Sequence, residues 1–333
     1  MGYFLPHVFA ILTAFGVLSG GWLAWLGVII TFALHPMLDY VFKSIEPEFQ
    51  DRPTQVLAEI SLHSGVPVLL FLLVCTFQST IFGSAQSALE VAGSLLSCGM
   101  MMGVVGINSA HELIHRESKW SRAEGVFLLS LVNFSYWRIN HVEVHHRWVA
   151  TLKDPATSRK GESLYGYWVR AYFGAWIKSF EFENQRVKNA QAPWWQHRFV
   201  HYGALMLFWS VLIVSLFGFA GFLSWMVISL VAILMLQTVD YIEHYGLLRK
   251  ELKEGVYEVV KPQHSWDSYH LWTNWTLFNL GFHSHHHQRS NLEFTGLTKK
   301  EDAQKMPYGY SLMFLLALWP KLWRRTMDER IPA

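Results

Sequence analysis

Four histidines fall within five positions in the stretch NLGFHSHHHQRSNLEF, at His283, His285, His286 and His287. Imidazole is a good ligand for iron, copper, nickel or zinc. Three further groups carry ligand spacing. HELIH sets His111 and His115 at i and i+4, on one helical face. HVEVHH does the same for His141 and His145, with His146 about 100° further round the helix. EHYG adds His244, and in a helical HSHHH the rings of His283 and His286 stand one turn apart. Of the 17 histidines, ten lie in these four groups and nine of them at metal-ligand spacing, too many for one tetrahedral ion and enough for two with about four or five nitrogens each. HELIH alone matches the signature of zinc metalloproteases. A protease site uses two histidines and one further ligand, and leaves the other groups unexplained.

The elements that must position these rings are apolar. The chain of 333 residues is 52% hydrophobic and only 16% charged, against about a quarter charged in an ordinary soluble domain. Six runs are long enough to cross a bilayer as helices, near residues 3–19, 21–38, 58–81, 88–109, 199–218 and 221–240. The first two are parted by SGG at 19–21, the last two by a tight turn at 218–221. Only Lys43 and Arg52 precede His111 among the lysines and arginines. With a cytoplasmic N-terminus every basic residue lies on the cytoplasmic side, as the positive-inside rule requires, and so does every histidine group. A mid-membrane metal transporter does not fit that placement. Residues 124–137 and 310–319 are apolar but short, and read as interfacial or re-entrant. The expectation is an all-α, six-span membrane protein with a cytoplasmic histidine-rich helical cap, one domain over 1–333, and both termini cytoplasmic. Cys75 and Cys98 sit in apolar runs and read as buried small hydrophobes. No cleavable signal and no iron–sulfur or rubredoxin-type module is visible.

HELIHR, NHVEVHHRWVATLKDPATSRKGES, DYIEHYGLLR and HSWDSYHLWTNWTLFNLGFHSHHH resemble, in order, the signatures of AlkB-type membrane alkane monooxygenases. That family lies within the larger class of histidine-rich membrane hydroxylases and desaturases. EHYG in particular is similar to the alkane hydroxylase branch. The resemblance runs from about residue 36 to the C-terminus. It implies a di-iron centre held by His111, His115, His141, His145, His146, His244, His283, His286 and His287. It also implies hydroxylation of a terminal methyl group with O2 as co-substrate. Electrons would come from a separate rubredoxin (or ferredoxin) and its NAD(P)H-dependent reductase, at the bacterial inner membrane. Nucleic acid is not an expected partner. Aromatic methyl groups of the xylene type, or fatty acids, are the alternative substrates within the class. The sequence departs from the pattern at His285, where the family has aspartate, and at Gly281 and Phe282, which replace a polar pair.

Metal-binding imidazoles commonly donate from their other nitrogen to a carboxylate. Glu112, Glu143, Asp154, Glu162, Asp240, Glu243 and Asp267 are the candidates, with pairing to nearby arginines as their competing role. Met100, Met101 and Met102, in the run leading to His111, are candidates to line an apolar substrate channel, against ordinary packing among small residues. Arg116, Lys119, Arg122, Arg138, Arg147, Arg159 and Lys160 are candidates to dock an acidic electron donor. His35, His197, His201, His264 and His270 read as structural.

Overall fold

The computed structural model describes residues 2–42, 52–83 and 86–332; Lys43 and the tip of the 82–87 turn lie outside them. Among the described residues five helices are long and apolar enough to cross a membrane. These are α1 (Gly2–Ser19), α2 (Gly21–Phe42), α3 (Arg52–Phe82), α4 (Ala88–Ile114) and the long α8 (Arg198–His244). Between α4 and α8 come α5 (Lys119–Ser130), a short helical segment α6 (residues 137–148) and α7 (Leu164–Asn189). After α8 follow α9 (Leu271–Thr276), α10 (His283–Gln288), α11 (Tyr310–Ala317) and α12 (Pro320–Met327). The all-helical expectation misses four strands of two or three residues. β1 (Glu251–Lys253) and β2 (Val256–Tyr257) form a hairpin, and β3 (Trp266–Asp267) pairs in parallel with β4 (Gln304–Lys305).

The long α8 holds two of the expected runs. Its 47 residues would measure about 70 Å if straight, more than twice the bilayer core of about 30 Å. It is broken at Gly218, whose φ of 67° and ψ of −171° are open essentially to glycine alone. The chain doubles back there. Trp209 donates its indole N–H to Ser130 Oγ at 2.9 Å, and Trp225 donates to the neighbouring Leu131 carbonyl at 2.6 Å, although a continuous helix would hold those two tryptophans about 24 Å apart.

The turns gather at one end of the bundle. Gly20 breaks α1 from α2 with φ 71°, and the Gly21 N–H donates to Glu90 Oε1 at 2.6 Å. Glu90 and Ser87 also cap the start of α4. Phe77 and Phe82 of α3 pack on Phe217 beside the Gly218 turn. Buried hydroxyls lock the helices to one another, Ser79 donating to the Val17 carbonyl and Ser97 to the Ala24 carbonyl, each at 2.8 Å. At the opposite end lie the C-termini of α4 and α8, and across them the α5–α7 and α9–α12 segments. Asp39 of α2 accepts from the backbone N–H and hydroxyl of Thr273 in α9 at 3.0 and 2.6 Å, tying the cap to the bundle. His35, one turn earlier, is buried against Phe9.

Candidate metal centre

Nine imidazoles from four elements converge where α4 and α8 end. His111, His115, His141 and His286 form one group, and His145, His244, His283 and His287 a second, each with ring nitrogens within 4.8 Å of one another. His146 stands between them. Its Nε2 is 3.1 Å from those of both His141 and His286, and its ring lies 4.6 Å from that of His287. The grouping does not follow the helical faces read from the sequence. His141 and His145 are four apart yet enter different groups. They lie in a widened i→i+5 turn spanning Asn140–His145, which changes the angle between successive side chains. In α10, His283 and His287 face each other at 2.9 Å, while His286 crosses to the first group.

The donor set fits metal. Within the groups Nε2···Nε2 separations run from 2.9 to 3.3 Å. Nitrogens bound at about 2.1 Å to one ion, at ordinary ligand angles, stand roughly 3.0–3.4 Å apart. Burial holds His141, His146, His283, His286 and His287 well below the ordinary imidazole pKa, so these rings are neutral at physiological pH, as ligation requires. Residues 87–317 match the model of the fatty acid desaturase family. Over 318 residues the chain is 33% identical to alkane 1-monooxygenase 2 of Pseudomonas aeruginosa, covering 93% of this chain and 84% of that protein. Alkane 1-monooxygenase 1 of Alcanivorax borkumensis is 31% identical over 330 residues, covering 93% and 79%. The chain belongs to the fatty acid desaturase family, among the alkane 1-monooxygenases. The xylene/toluene monooxygenase hydroxylase component XylM of Pseudomonas putida is a more distant relative, 26% identical over 330 residues, covering 96% of this chain and 86% of that protein. The chain is thus an oxidoreductase and a multi-pass membrane protein whose histidine groups fit a two-metal site.

Around the rings of this family member, the seven candidate carboxylates take distinct places. Asp154 accepts from His145 Nδ1 at 2.8 Å, from the Thr157 hydroxyl at 2.7 Å and from the Ala156 N–H at 3.0 Å. Burial alone would lower the His145 pKa, but the Asp154 carboxylate outweighs it and raises it. Glu243 Oε1 lies 3.3 Å from His283 Nδ1 and accepts from the Tyr310 hydroxyl at 2.5 Å. Asp267 holds no imidazole; it accepts from the N–H and hydroxyl of Ser284, each at 2.7 Å, and so fixes the first turn of α10. Asp240 is buried in the wall of an apolar cavity beside the rings. The other three serve arginines: Glu112 pairs with Arg116, Glu143 with Arg138 and Arg198, Glu162 with Arg170.

The departures from the family pattern have local causes. His285 points away from both groups, and its Nδ1 accepts from the Thr298 N–H at 2.9 Å. Burial and nearby Lys300 push its pKa down to about 4, which keeps the ring a neutral acceptor. A side chain at Gly281 would strike the Ser268 carbonyl and the Asn274 amide, and Phe282 stacks on Tyr269.

The apolar cavity, of about 50 Å³, reaches both groups, touching His111 and His141 of one and His283 of the other. Met100, Met101 and Met102 are buried in helix packing and do not line it. Its α4 wall is the next stretch, Gly103, Val104, Ile107 and Asn108, and its α8 wall is Met235, Leu236 and Val239. That α8 run is apolar on all sides, so no periodicity singles out the cavity face. Asn108 did carry a signal, as an amide in an apolar run three residues before His111. It is buried, and its Nδ2 has no partner. Trp137 closes the side, stacked on His141 at 4.4 Å. Of the basic candidates, Lys119, Arg147, Arg159 and Lys160 are exposed. Arg116 is engaged by Glu59, Glu112 and Glu293, Arg122 by the carbonyls of Arg116 and Glu117, and Arg138 by Glu143.

Proposed function

We propose that this protein is a di-iron monooxygenase that hydroxylates the terminal methyl group of an alkane to a primary alcohol, using O2 and electrons from a rubredoxin-type donor. The observation that carries the reading is the pair of buried imidazole groups at the end of an apolar cavity, in a chain similar along nearly all its length to alkane 1-monooxygenases. His111, His115, His141 and His286 would hold one iron, His145, His244, His283 and His287 the other, with His146 within reach of both. Two irons so held supply the oxidising power that an unactivated C–H bond demands.

The protein's own part is orientation and exclusion. Asp154 fixes the tautomer of His145, and Glu243 stands beside His283. Trp137 restrains His141 by stacking. The cavity gives an alkane methyl group apolar contacts on the α4 and α8 walls and admits little water. Its apolar α4 and α8 walls suit a substrate that partitions into the bilayer.

We read α8 as two crossings, giving six in all. The turns at one end carry no lysine or arginine at 19–21 or 218–221, and the basic segments surround the histidines, which supports a cytoplasmic centre and cytoplasmic termini in a bacterial inner membrane. Lys119, Arg147, Arg159 and Lys160 are the residues we assign to docking an acidic donor, itself reduced by an NAD(P)H-dependent reductase.

The zinc-protease reading loses its base: Glu112 is ion-paired to Arg116 at 2.9 Å and accepts from the Phe294 N–H. A hydroxylase of aromatic methyl groups is the second reading, on the likeness to XylM. Purified protein reconstituted with rubredoxin, reductase and NADH should contain about two irons per chain and form 1-octanol from octane. One zinc and no iron, or benzyl alcohol from toluene with no alkanol from any alkane, overturns the assignment.

A further inference from the structure

A second cavity, of about 250 Å³, lies between the α5–α6 connection, α7 and the first turns of α8. It shares a wall with the first, because consecutive residues face opposite ways: Trp137 lines the cavity at the histidines and Tyr136 lines this one. Its polar lining is wholly uncharged, made of Ser130, Asn133, Ser135, Tyr136, Tyr172 and Tyr202. Around these are the apolar surfaces of Trp176, Phe199 and Met206. Trp176 and Met206 are each nearly half exposed, so the cleft opens outward beside the apolar start of α8. One group in it is only loosely held. The Tyr136 side chain is 8% exposed, its ring stands edge-on to Tyr172, and its hydroxyl has the Tyr172 side chain as its polar neighbour, with no hydrogen bond within 3.5 Å. A buried phenolic O–H held by so weak a contact gains from a ligand hydroxyl that comes to meet it.

We infer that this cleft is a binding site for a neutral amphiphile with a hydroxyl head and an alkyl tail, and that it receives the primary alcohol made next door. Hydroxyls and an amide with no lysine, arginine or carboxylate among them suit an alcohol and disfavour a phosphate or carboxylate head, which would be desolvated without a counter-charge. The rings and Met206 suit the tail. An alkane has nothing to offer Tyr136, so the site distinguishes product from substrate. The assignment of the alcohol as product rests on the proposed function; the hydroxyl-amphiphile site does not.

The test uses the holoenzyme in lipid nanodiscs and 11-bromo-1-undecanol, whose bromine quenches nearby indoles, with 1-bromoundecane as the comparator lacking a hydroxyl. Saturable quenching by the bromoalcohol, weakened in W176F, is expected, and the bromoalkane should give only the linear quenching of a lipid-dissolved probe. A Cβ at Gly203 meets no atom within 4 Å, so Gly203→Phe starts from open space and projects its ring into the cleft. It should weaken the saturable component about tenfold or more, and Y136F, which keeps the ring, about fivefold to tenfold. Equal saturable quenching by the bromoalkane, or quenching that neither G203F nor Y136F changes, overturns the site. Alkane turnover is assayed separately: bromoalcohol binding without alkanol formation leaves the cleft standing and removes the substrate reading, and the reverse result removes the cleft alone.

Discussion

At the level of single residues, the Asp154 carboxylate is tightly constrained, since it accepts from His145, Thr157 and a backbone N–H within one buried turn. In D154N the fixed charge is lost and the amide can turn its N–H toward the ring. Metal affinity, read by chelator competition, should fall about 10–100-fold, with the first group's ion less affected than the second's. Within HSHHH the four rings divide sharply. His287 to alanine removes a ring whose Nε2 lies 2.9 Å from that of His283, and iron per chain should drop by about one. His285 to alanine removes only the acceptor for Thr298, and iron content should stay unchanged. Iron retained in H287A, or lost in H285A, would break the ligand assignment. The four groups were legible from spacing, because imidazoles in ligand register are rare in apolar chains, while the choice of His287 over His285 came from the family resemblance. The division of the rings between two ions was not legible. It depends on the widened turn in α6 and on where α10 is pinned by Asp267, neither of which one-dimensional spacing encodes.

At the level of elements, the hairpin in α8 and the corner between α7 and α8 decide whether His244 and α6 meet. Gly218 has open space around it, so an alanine there introduces strain without a clash. G218A should destabilise by roughly 1–3 kcal/mol, seen as a lower melting temperature in detergent. Glu183 holds the corner, accepting from Arg186 at 2.6 and 2.9 Å and from Arg198 at 2.7 and 2.8 Å. Burial would raise its pKa, but the two arginines win and bring it down to about 2. A carboxyl depressed in the folded state stabilises at pH values above its unfolded pKa and loses that contribution as pH falls toward 2. With both arginines partly exposed, E183Q should cost about 1–2 kcal/mol near pH 7, and its melting temperature should approach the wild type's as pH drops from 5 toward 2. The apolar runs and their glycine breaks were readable, because length and hydropathy suffice for crossings. What the sequence hid was α7, a 26-residue helix whose buried stripe of Leu164, Tyr167, Ala171, Ala175, Ser179 and Glu183 is too mixed to register as apolar, and the parallel pair β3–β4, which exists only through a tertiary contact. The cavity face of α4 stayed open between the methionines and ordinary packing, because an apolar helix gives no sign of which side stays open.

At the level of the whole molecule, the bundle and the cap answer to different forces. Helices α1–α4 and α8 are held by packing and by hydroxyl-to-carbonyl bonds such as Ser79 to Val17 and Ser97 to Ala24, none of which involves the histidines. The cap is otherwise: α6 and α10 are short and bring to the site a set of imidazoles whose ring nitrogens face one another at 2.9–3.3 Å. Ions held there would satisfy those lone pairs, and a ligand bound at a thousand times its dissociation constant stabilises the state it binds by about 4 kcal/mol. That contribution belongs to the elements carrying the rings. Removing metal with a chelator should therefore speed amide hydrogen exchange in residues 137–148 and 283–288, and in the last turns of α4 and α8, by about tenfold or more. The middle of α1 and α3 should keep its wild-type protection. Restoring ferrous iron under anaerobic conditions should return the fast amides to their slow rates. Uniform loosening of the whole bundle on chelation would show that the membrane helices also depend on the metal. No change in residues 137–148 and 283–288 would mean that the imidazoles are organised without it, and that their convergence has another cause.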